Sequence, residues 1–424
     1  MPEIMGPEPM GLALRLYLLA SHAIVPLAPA VLRGRLRRGK EDPARWREKL
    51  GEATQARPPG RVIWLHAVGL GEVLALRGLI EAMAAEAPDL SFLVTSSARS
   101  SAQVMAANLP ARTQHQFLPL DSPHYLARFL DHWHPDLSVW AEQDIWPGAV
   151  VAAAARGIPL AMVNARMTAA SHRKRARMAG LYRDVFARFA LIDAQEPATA
   201  QRLRDLGGAQ VQVSGSLKAA APPLACDPVH LAAATAALAG RRVWLAASTH
   251  PGDEAAAIAA VRALADPARL LILVPRDTRR AGEVAAALTT AGLRFAQRSR
   301  GEVPGASDAV WLADSYGELG LWYRLADTAL IGGGFDRIGG HNPWEAAHLR
   351  AAILHGPDVA NFATDYAALH AANAARQVTD DLAQALSDPA LPAMADAGFA
   401  RVQAARGALV PLARQVVALM GTRP

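Results

Sequence analysis

The chain has 424 residues, too many for one ordinary core and a length that suits two domains. At 52% hydrophobic and 19% charged residues it is a folded protein and not a disordered one. Its one cysteine, Cys226, excludes a disulfide framework, argues against a cysteine-based metal site and fits a reducing compartment. A net charge of +6 favours anionic partners such as phosphates, nucleic acid or an anionic membrane face, although an arginine-rich composition alone gives the same balance.

Residues 1–50 read as an N-terminal membrane-associating segment with a basic flank. The stretch from Gly11 to Leu32 is mostly apolar, and Arg33, Arg35, Arg37, Arg38 and Lys40 follow it. A secretory signal places its charge first, so this order is the wrong one for export. Arg15, His22, Pro26 and Pro29 interrupt what a clean spanning helix would need. Arg15 and His22 fall on one helical stripe. That pattern suits a helix lying in the interface, its basic flank on anionic headgroups and the following domain cytoplasmic. An ordinary buried first helix is the alternative.

From Arg61 onward short apolar runs alternate with helical patterns. VIWLHA (62–67), SFLVTS (91–96), LSVWA (137–141), PLAMVN (159–164), FALIDA (189–194) and VQVSG (211–215) read as strands. Helical stretches such as Val73 to Ala85 and Ser122 to His132 separate them. Such alternation implies an α/β fold, a doubly wound parallel sheet with helices on both faces. The prolines of AAAPPLACD, from Ala219, break the pattern. A second series follows: VWLAAS (243–248), LLILVPR (270–276), AVWLAD (309–314), TALIGGG (328–334) and AAILHG (351–356). The division is therefore a first Rossmann-like domain over 51–218, a linker over 219–230, a second Rossmann-like domain over 231–394, and a C-terminal helix over 395–424 that packs back on the first. Ligands of open parallel sheets bind beyond the carboxyl ends of the strands, so the active cleft is expected between those ends.

Four constellations follow strands. In HAVGLGE (His66–Glu72), Gly69 and Gly71 permit a tight turn and close ligand approach. Glu72 then sits at a helix start, suited either to deprotonate a hydroxyl or simply to complement the helix dipole. In AEQDIWPG (Ala141–Gly148), Glu142 and Asp144 could grip sugar hydroxyls before Pro147 opens a helix; a capped helix start with a buried Trp146 is the plain alternative. A basic group comprises Arg166 after a strand, then Arg173, Lys174, Arg175 and Arg177. Arg166 can pair with carboxylate or phosphate, whereas Lys174 to Arg177 read as a solvated helix face. Lys218, in GSLK, is a second candidate for an anionic ligand. The fourth is IGGGFDRIGGHNPWE (Ile331–Glu345), a strand running into glycines and then a helix start near Asn342 or Pro343. Its backbone N–H groups are expected to form an anion site, with Glu345 accepting from ribose hydroxyls. It is not a GxGxxG fingerprint, and no Walker-A loop, zinc spacing, DxD-type pair or GxSxG elbow is present. STHPGDE (248–254) and VPRD (274–277) point at the same cleft.

Together these motifs resemble the 3-deoxy-D-manno-octulosonic acid (Kdo) transferase family, inverting enzymes of the two-lobed GT-B class. HAVGLGE resembles its HAxSxGE element, AEQDIWPG its ETELWPN and NARMTAASHR its NARLSxRSxR. GSLK, STHPGDE, VPRD, GELGLWYRLAD and GGHNPWE have counterparts in the same order, and ARWREKLGE looks like the family's membrane-proximal start. The resemblance implies that Glu72 is the catalytic base and that Arg276, Gly317, Glu318, Asn342 and Glu345 contact the CMP part of CMP-Kdo. Ser248, Lys218, Gly333, Gly334, Gly340 and His341 complete the donor side; Gly69, Gly71, Glu142, Asp144 and Arg166 face acceptor or sugar. It implies a nucleotide-sugar donor, no cofactor and no metal, and as acceptor a lipid A precursor or another lipid. The place implied is the cytoplasmic face of the inner membrane.

This chain also departs from the family pattern. Asp144 stands for Glu, Gly148 for Asn, GGG at 332–334 for GGS, and Asp277 for His; Arg350, Ala352 and Asp358 replace Gly, Pro and His. The alternatives are a transferase for another CMP-activated sugar acid or another glycan or lipid acceptor, a GT-B-like sugar-nucleotide epimerase, and a non-catalytic membrane scaffold. Nucleic-acid binding is disfavoured, because the basic stretches lack interleaved aromatics and any recognisable module.

Overall fold

A computed structural model of the chain describes residues 10–67, 70–97, 109–142, 145–238 and 240–421, with only the backbone of 70–74. It comprises two compact units, Met1–Ala221 with Ala405–Pro424, and Pro222–Ala404.

Each unit is built on a seven-stranded sheet, every pairing parallel. The first holds β1 (Val62–His66), β2 (Ser91–Ser96), β3 (Thr113–Phe117), β4 (Leu137–Ala141), β5 (Leu160–Ala165), β6 (Leu191–Ala194) and β7 (Val211–Val213), in the order β3-β2-β1-β4-β5-β6-β7. The second holds β8 (Arg242–Thr249), β9 (Arg269–Pro275), β10 (Phe295–Gln297), β11 (Val310–Leu312), β12 (Thr328–Ile331), β13 (Ala352–His355) and β14 (Ala375–Gln377), in the order β10-β11-β9-β8-β12-β13-β14. In both sheets the chain starts in the middle, winds one way, then returns and winds the other. The switch points fall between β1 and β4 and between β8 and β12, where a doubly wound sheet opens a crevice at its carboxyl edge.

The central strands form because their runs are apolar on both faces, as a sheet covered by helices on each side requires. On one face of the first sheet Trp64 packs edge-on against Phe129 and Trp140, at 5.0 and 5.5 Å between ring centroids. On the other, Ile63 and Leu65 pack with Leu76 and Leu79 of helix Leu70–Glu86 and with Leu412 and Val416 of helix Leu391–Ala418. The apolar runs expected as strands correspond to strands. Three further strands, β3, β10 and β14, carried no such run. All three are edge strands, and TQHQF in β3 shows why: an edge half-covered by solvent tolerates polar residues that a central strand does not.

At the N-terminus, helices Leu12–His22 and Ile24–Arg37 meet at a bend of 55°; no single helix among the described residues is long and apolar enough to cross a membrane. Leu14 is buried in the first unit's core, and Ala28 and Leu32 pack with Leu50 and Tyr125. The outer face carries Leu12, Leu16, Leu19, Ile24, Leu27 and Val31, all exposed. The buried residues and the exposed apolar row thus lie on different sides of the same two helices. The basic flank is partly committed inward. Arg35 and Lys49 both bond the buried Glu41, and the Arg33 guanidinium lies 6.0 Å from the centre of the Trp46 ring. Arg37, Arg38 and Lys40 remain exposed.

Tyr17 anchors the first helix by donating to Asp121 at 2.6 Å. Asp121 also accepts from the N–H groups of Gly148 and Ala149, capping helix Pro147–Ala154. A Cβ on Gly148 would lie 2.7 Å from that carboxylate, which accounts for glycine where the family pattern has Asn.

Candidate functional site

In the first unit, candidate side chains gather where β1, β4 and β5 end. Glu72 is the third residue of helix Leu70–Glu86, which follows β1 across the switch point, so its Cα lies in the first helical turn. Its side chain, that of Gly71's neighbours, and Gly69 and Asp144 as a whole lie outside the described residues. Beneath this turn, His66 is fully buried and packs edge-on against Trp140 at 4.9 Å. Its Nδ1 bonds Thr95, and burial pushes its pKa down to about 3, so the ring is neutral.

Glu142 and Asn164 close β4 and β5 with φ of +59° and +53°, a left-handed conformation that non-glycine residues rarely adopt. Backbone strain of this kind is retained only where surrounding bonds over-determine it, and here they do. Glu142 N–H donates to Val163 O at 3.1 Å, and Asn164 Nδ2 donates to Glu142 Oε1 at 3.3 Å. Asn164 Oδ1 accepts from Leu217 N–H, and Gln195 Nε2 donates to Asn164 O. Lys218 Nζ completes the network, 2.9 Å from Glu142 Oε1. Lys218, expected on the donor side, lies at the end of the 51–218 stretch in the first unit and pairs with Glu142. Arg166 follows β5, partly buried. Helix Ala169–Ala176, which bears Arg173, Lys174 and Arg175, buries no residue.

The second unit gathers its candidates where β8, β9, β11 and β12 end. β12 stops at Ile331 rather than running through the glycines, because Gly332 turns against β8: a Cβ there would meet the Ser248 carbonyl oxygen at 2.4 Å. Ser248 itself sits at φ +55° in a bulge of β8. Gly333 and Gly340 take φ of +81° and +71°, and Gly334 packs against the backbone of Gly356. The loop closes on itself through Gly340 N–H to Gly333 O and His341 N–H to Gly332 O, both 3.1 Å.

Around this loop the charged groups differ sharply in freedom. The His341 ring stacks on His250, 5.2 Å between centroids, with the two Nε2 atoms 3.0 Å apart. Burial, then Arg276 and His250, push His341 down to about 4, so its ring is neutral at pH 7. Burial pushes Glu345 up to about 7, against the opposing pull of Asn342 and Arg276. Arg276, directly after β9, is exposed and makes no ion pair among the described residues. It differs in this from Arg280, held by Glu254, and from Arg298, held by Glu318.

Two expectations change here. The helix after the glycines is only Trp344–His348, five residues, and Asn342 Oδ1 already accepts its Trp344 N–H at 3.1 Å. Its dipole is short and its Trp344 N–H is taken, so this helix start offers little positive charge, and Arg276 is the exposed cation beside it. Glu318 follows Gly317, at φ +87°, and caps helix Leu319–Leu325, but both of its oxygens are engaged by Arg298, at 2.7 and 3.1 Å. That bond holds its carboxyl below the usual range. Sequence reasoning missed Arg298, His250 and Asp253. His250 and Asp253 lie in the quoted STHPGDE, where the capping spacing was visible. Arg298 sits in a single 3₁₀ turn and gives no signal.

Among the described residues no group of three or more His, Cys, Asp or Glu is placed to hold a metal ion.

Two all-parallel α/β units, each with polar residues at its switch point, define the two-Rossmann class to which sugar-nucleotide transferases belong. The fold is shared with a glycosyltransferase from Rickettsia africae ESF-5, at a TM-score of 0.56 and 9% identity over 87% of this chain and 100% of that one. The family model described as 3-deoxy-D-manno-octulosonic-acid transferase (kdotransferase) matches residues 44–221. The chain is 35% identical over 412 residues to the 3-deoxy-D-manno-octulosonic acid transferase of Bordetella pertussis, covering 91% of this chain and 95% of that protein. It is 31% identical over 348 residues to that of Rickettsia bellii (strain RML369-C), covering 82% and 83%. The chain belongs to the 3-deoxy-D-manno-octulosonic acid transferase family and is a glycosyltransferase.

Proposed function

We propose that the protein transfers Kdo from CMP-Kdo to a sugar hydroxyl of a lipid A precursor, in lipopolysaccharide biosynthesis. The observation that carries the donor side is Arg276. It is an exposed cation with no carboxylate ion pair among the described residues, and beside it stand His341, whose ring is neutral, and Glu345, whose burial favours its uncharged form. A site arranged in this way is short of one negative charge, and the CMP phosphate supplies it.

In the proposed reaction the acceptor oxygen attacks the anomeric carbon as the bond from that carbon to the CMP phosphate breaks, inverting the centre. The hydroxyl proton passes to Glu72. CMP departs with its phosphate charge met by Arg276, while Asn342 and Glu345 orient the ribose. A phosphate monoester is a good leaving group, so no acid is required and turnover is expected to survive EDTA. Glu142, Lys218 and Arg166 hold the acceptor side.

The acceptor reaches the enzyme at a bilayer. The exposed row Leu12, Leu16, Leu19, Ile24, Leu27 and Val31, with Arg37, Arg38 and Lys40 beyond it, suits a helix pair lying in the cytoplasmic interface of the inner membrane.

A second reading keeps the chemistry and changes the sugar acid. Asp358 N–H bonds Gly334 O at 3.0 Å, which places an acidic residue on the rim of the glycine loop where the family pattern has His. The experiment is transfer from CMP-Kdo, and from other CMP-activated sugar acids, to a lipid A precursor in vesicles containing EDTA. Transfer of Kdo alone supports the first reading; transfer only of another acid supports the second, and none at all contradicts both.

A further inference from the structure

We propose that Asp253 is a positioning residue for the donor site, its carboxylate holding the glycine segment 332–340 to the start of helix Pro251–Leu264. The proposal rests on the donor reading above. Asp253 is fully buried and has no cationic partner among the described residues. Instead three backbone N–H groups donate to it: His250 at 2.9 Å and Gly333 at 2.7 Å to Oδ2, and Phe335 at 3.2 Å to Oδ1.

A helix cap needs only the first of these bonds. The other two come from a segment 80 and 82 residues further along the chain, whose amides lose their sheet partners when β12 ends at Ile331. The exchange is mutual. Asp336, within that segment, accepts the Gly252 N–H with both oxygens, at 2.9 and 2.8 Å. Gly252 has no room for a side chain, since a Cβ would lie 2.9 Å from Asp336 Oδ2.

The consequence runs from the clamp to the ligand. Gly333 O accepts from Gly340 N–H, and Gly332 O from His341 N–H. Fixing Gly333 therefore fixes His341 against His250 and sets where the chain enters the Asn342–Glu345 turn. Asp253 bonds this chain of groups only at the backbone N–H of His250 and Gly333, and no bond runs from it to His341, Asn342 or Glu345, so its effect on the donor is through the backbone.

The test uses the purified full-length chain with CMP and CMP-Kdo. Asp253→Asn retains one acceptor oxygen, enough for His250 and Gly333 but not for Phe335; Asp253→Ala retains none. Expected are a donor KM and a CMP Kd raised about tenfold in the first and about a hundredfold in the second, with kcat within about twofold. Amide exchange should quicken at Phe335 in both and at Gly333 in the alanine variant. If the alanine variant does not fold, the asparagine variant carries the test. Unchanged KM and unchanged exchange in folded Asp253 variants, or a fall in kcat alone, would overturn the proposal. Arg276→Ala separates the two ideas. A raised KM there with no effect at Asp253 overturns only the positioning role; an unchanged KM and CMP Kd at Arg276→Ala overturns the donor reading, and the proposal with it.

Discussion

Lys218 Nζ lies 2.9 Å from Glu142 Oε1, with both side chains almost enclosed. Both charges are largely shielded from solvent, so removing one takes away a counter-charge that the other depends on. Lys218→Met or Glu142→Gln is expected to destabilise the protein by about 2–4 kcal/mol, and the double variant by less than the sum. Urea denaturation of the four proteins checks this. Additive losses would mean that the two charges do not depend on each other.

Glu345 sets a pH dependence. Its carboxyl titrates near 4.5 when unfolded and is pushed up to about 7 in the folded protein. The folded state therefore holds an extra proton between those values. Stability falls as pH rises from about 4.5 to about 7 and is level above. Glu345→Gln lacks this slope, and its advantage over the native protein should grow across the same window to at most about 3 kcal/mol. Melting temperatures measured from pH 5 to 8 test it; parallel curves would refute the assignment.

Gly332 is required for space and not for a left-handed turn. The Cβ of Gly332→Ala would sit 2.4 Å from the Ser248 carbonyl oxygen and 2.9 Å from that of Ala247, both backbone atoms that cannot swing aside. A loss of about 2–3 kcal/mol is expected, with weaker CMP binding because the loop is pushed off β8. Gly317→Ala meets no neighbour and is strained only through its φ of +87°, so it should cost about 1 kcal/mol. Thermal melts that rank the two the other way would contradict this account.

The outer face of the first two helices should govern membrane attachment. Leu16→Glu with Leu27→Glu removes apolar contacts without touching the buried Leu14, Ala28 or Leu32. Vesicle sedimentation with anionic lipids is expected to fall at least tenfold while the melting temperature holds. Unchanged sedimentation would mean that another surface attaches the protein.

The central strands were readable because burial on both faces demands apolar runs, and VIWLHA and LLILVPR provide them. Three of the four edge strands, β3, β10 and β14, were not, since a strand such as TQHQF in β3 need satisfy only one neighbour. Motif spacing located the switch-point loops: HAVGLGE does begin a helix, and GGG does end β12. Spacing could not show partnership. Lys218 and Glu142 are far apart in the chain and meet where Asn164, near the end of β5, bonds both Glu142 and the Leu217 N–H. Arg298 takes up Glu318 from an isolated turn, and Asp253 answers to Gly333 across the fold. Arg350 shows a further limit. It stands in the family's glycine position at φ +56°, with its guanidinium 4.2 Å over the Phe399 ring, a stacking contact that no local pattern announces.

The central claim is that Glu72 takes the acceptor's proton while CMP leaves from the Arg276 site. Its most direct test is acceptor-dependent CMP release from CMP-Kdo in EDTA, comparing the native protein with Glu72→Gln. Release by the native protein should require the lipid A precursor, and the variant should lose about 10²- to 10⁴-fold with CMP binding intact. Release that continues undiminished in Glu72→Gln would contradict the claim.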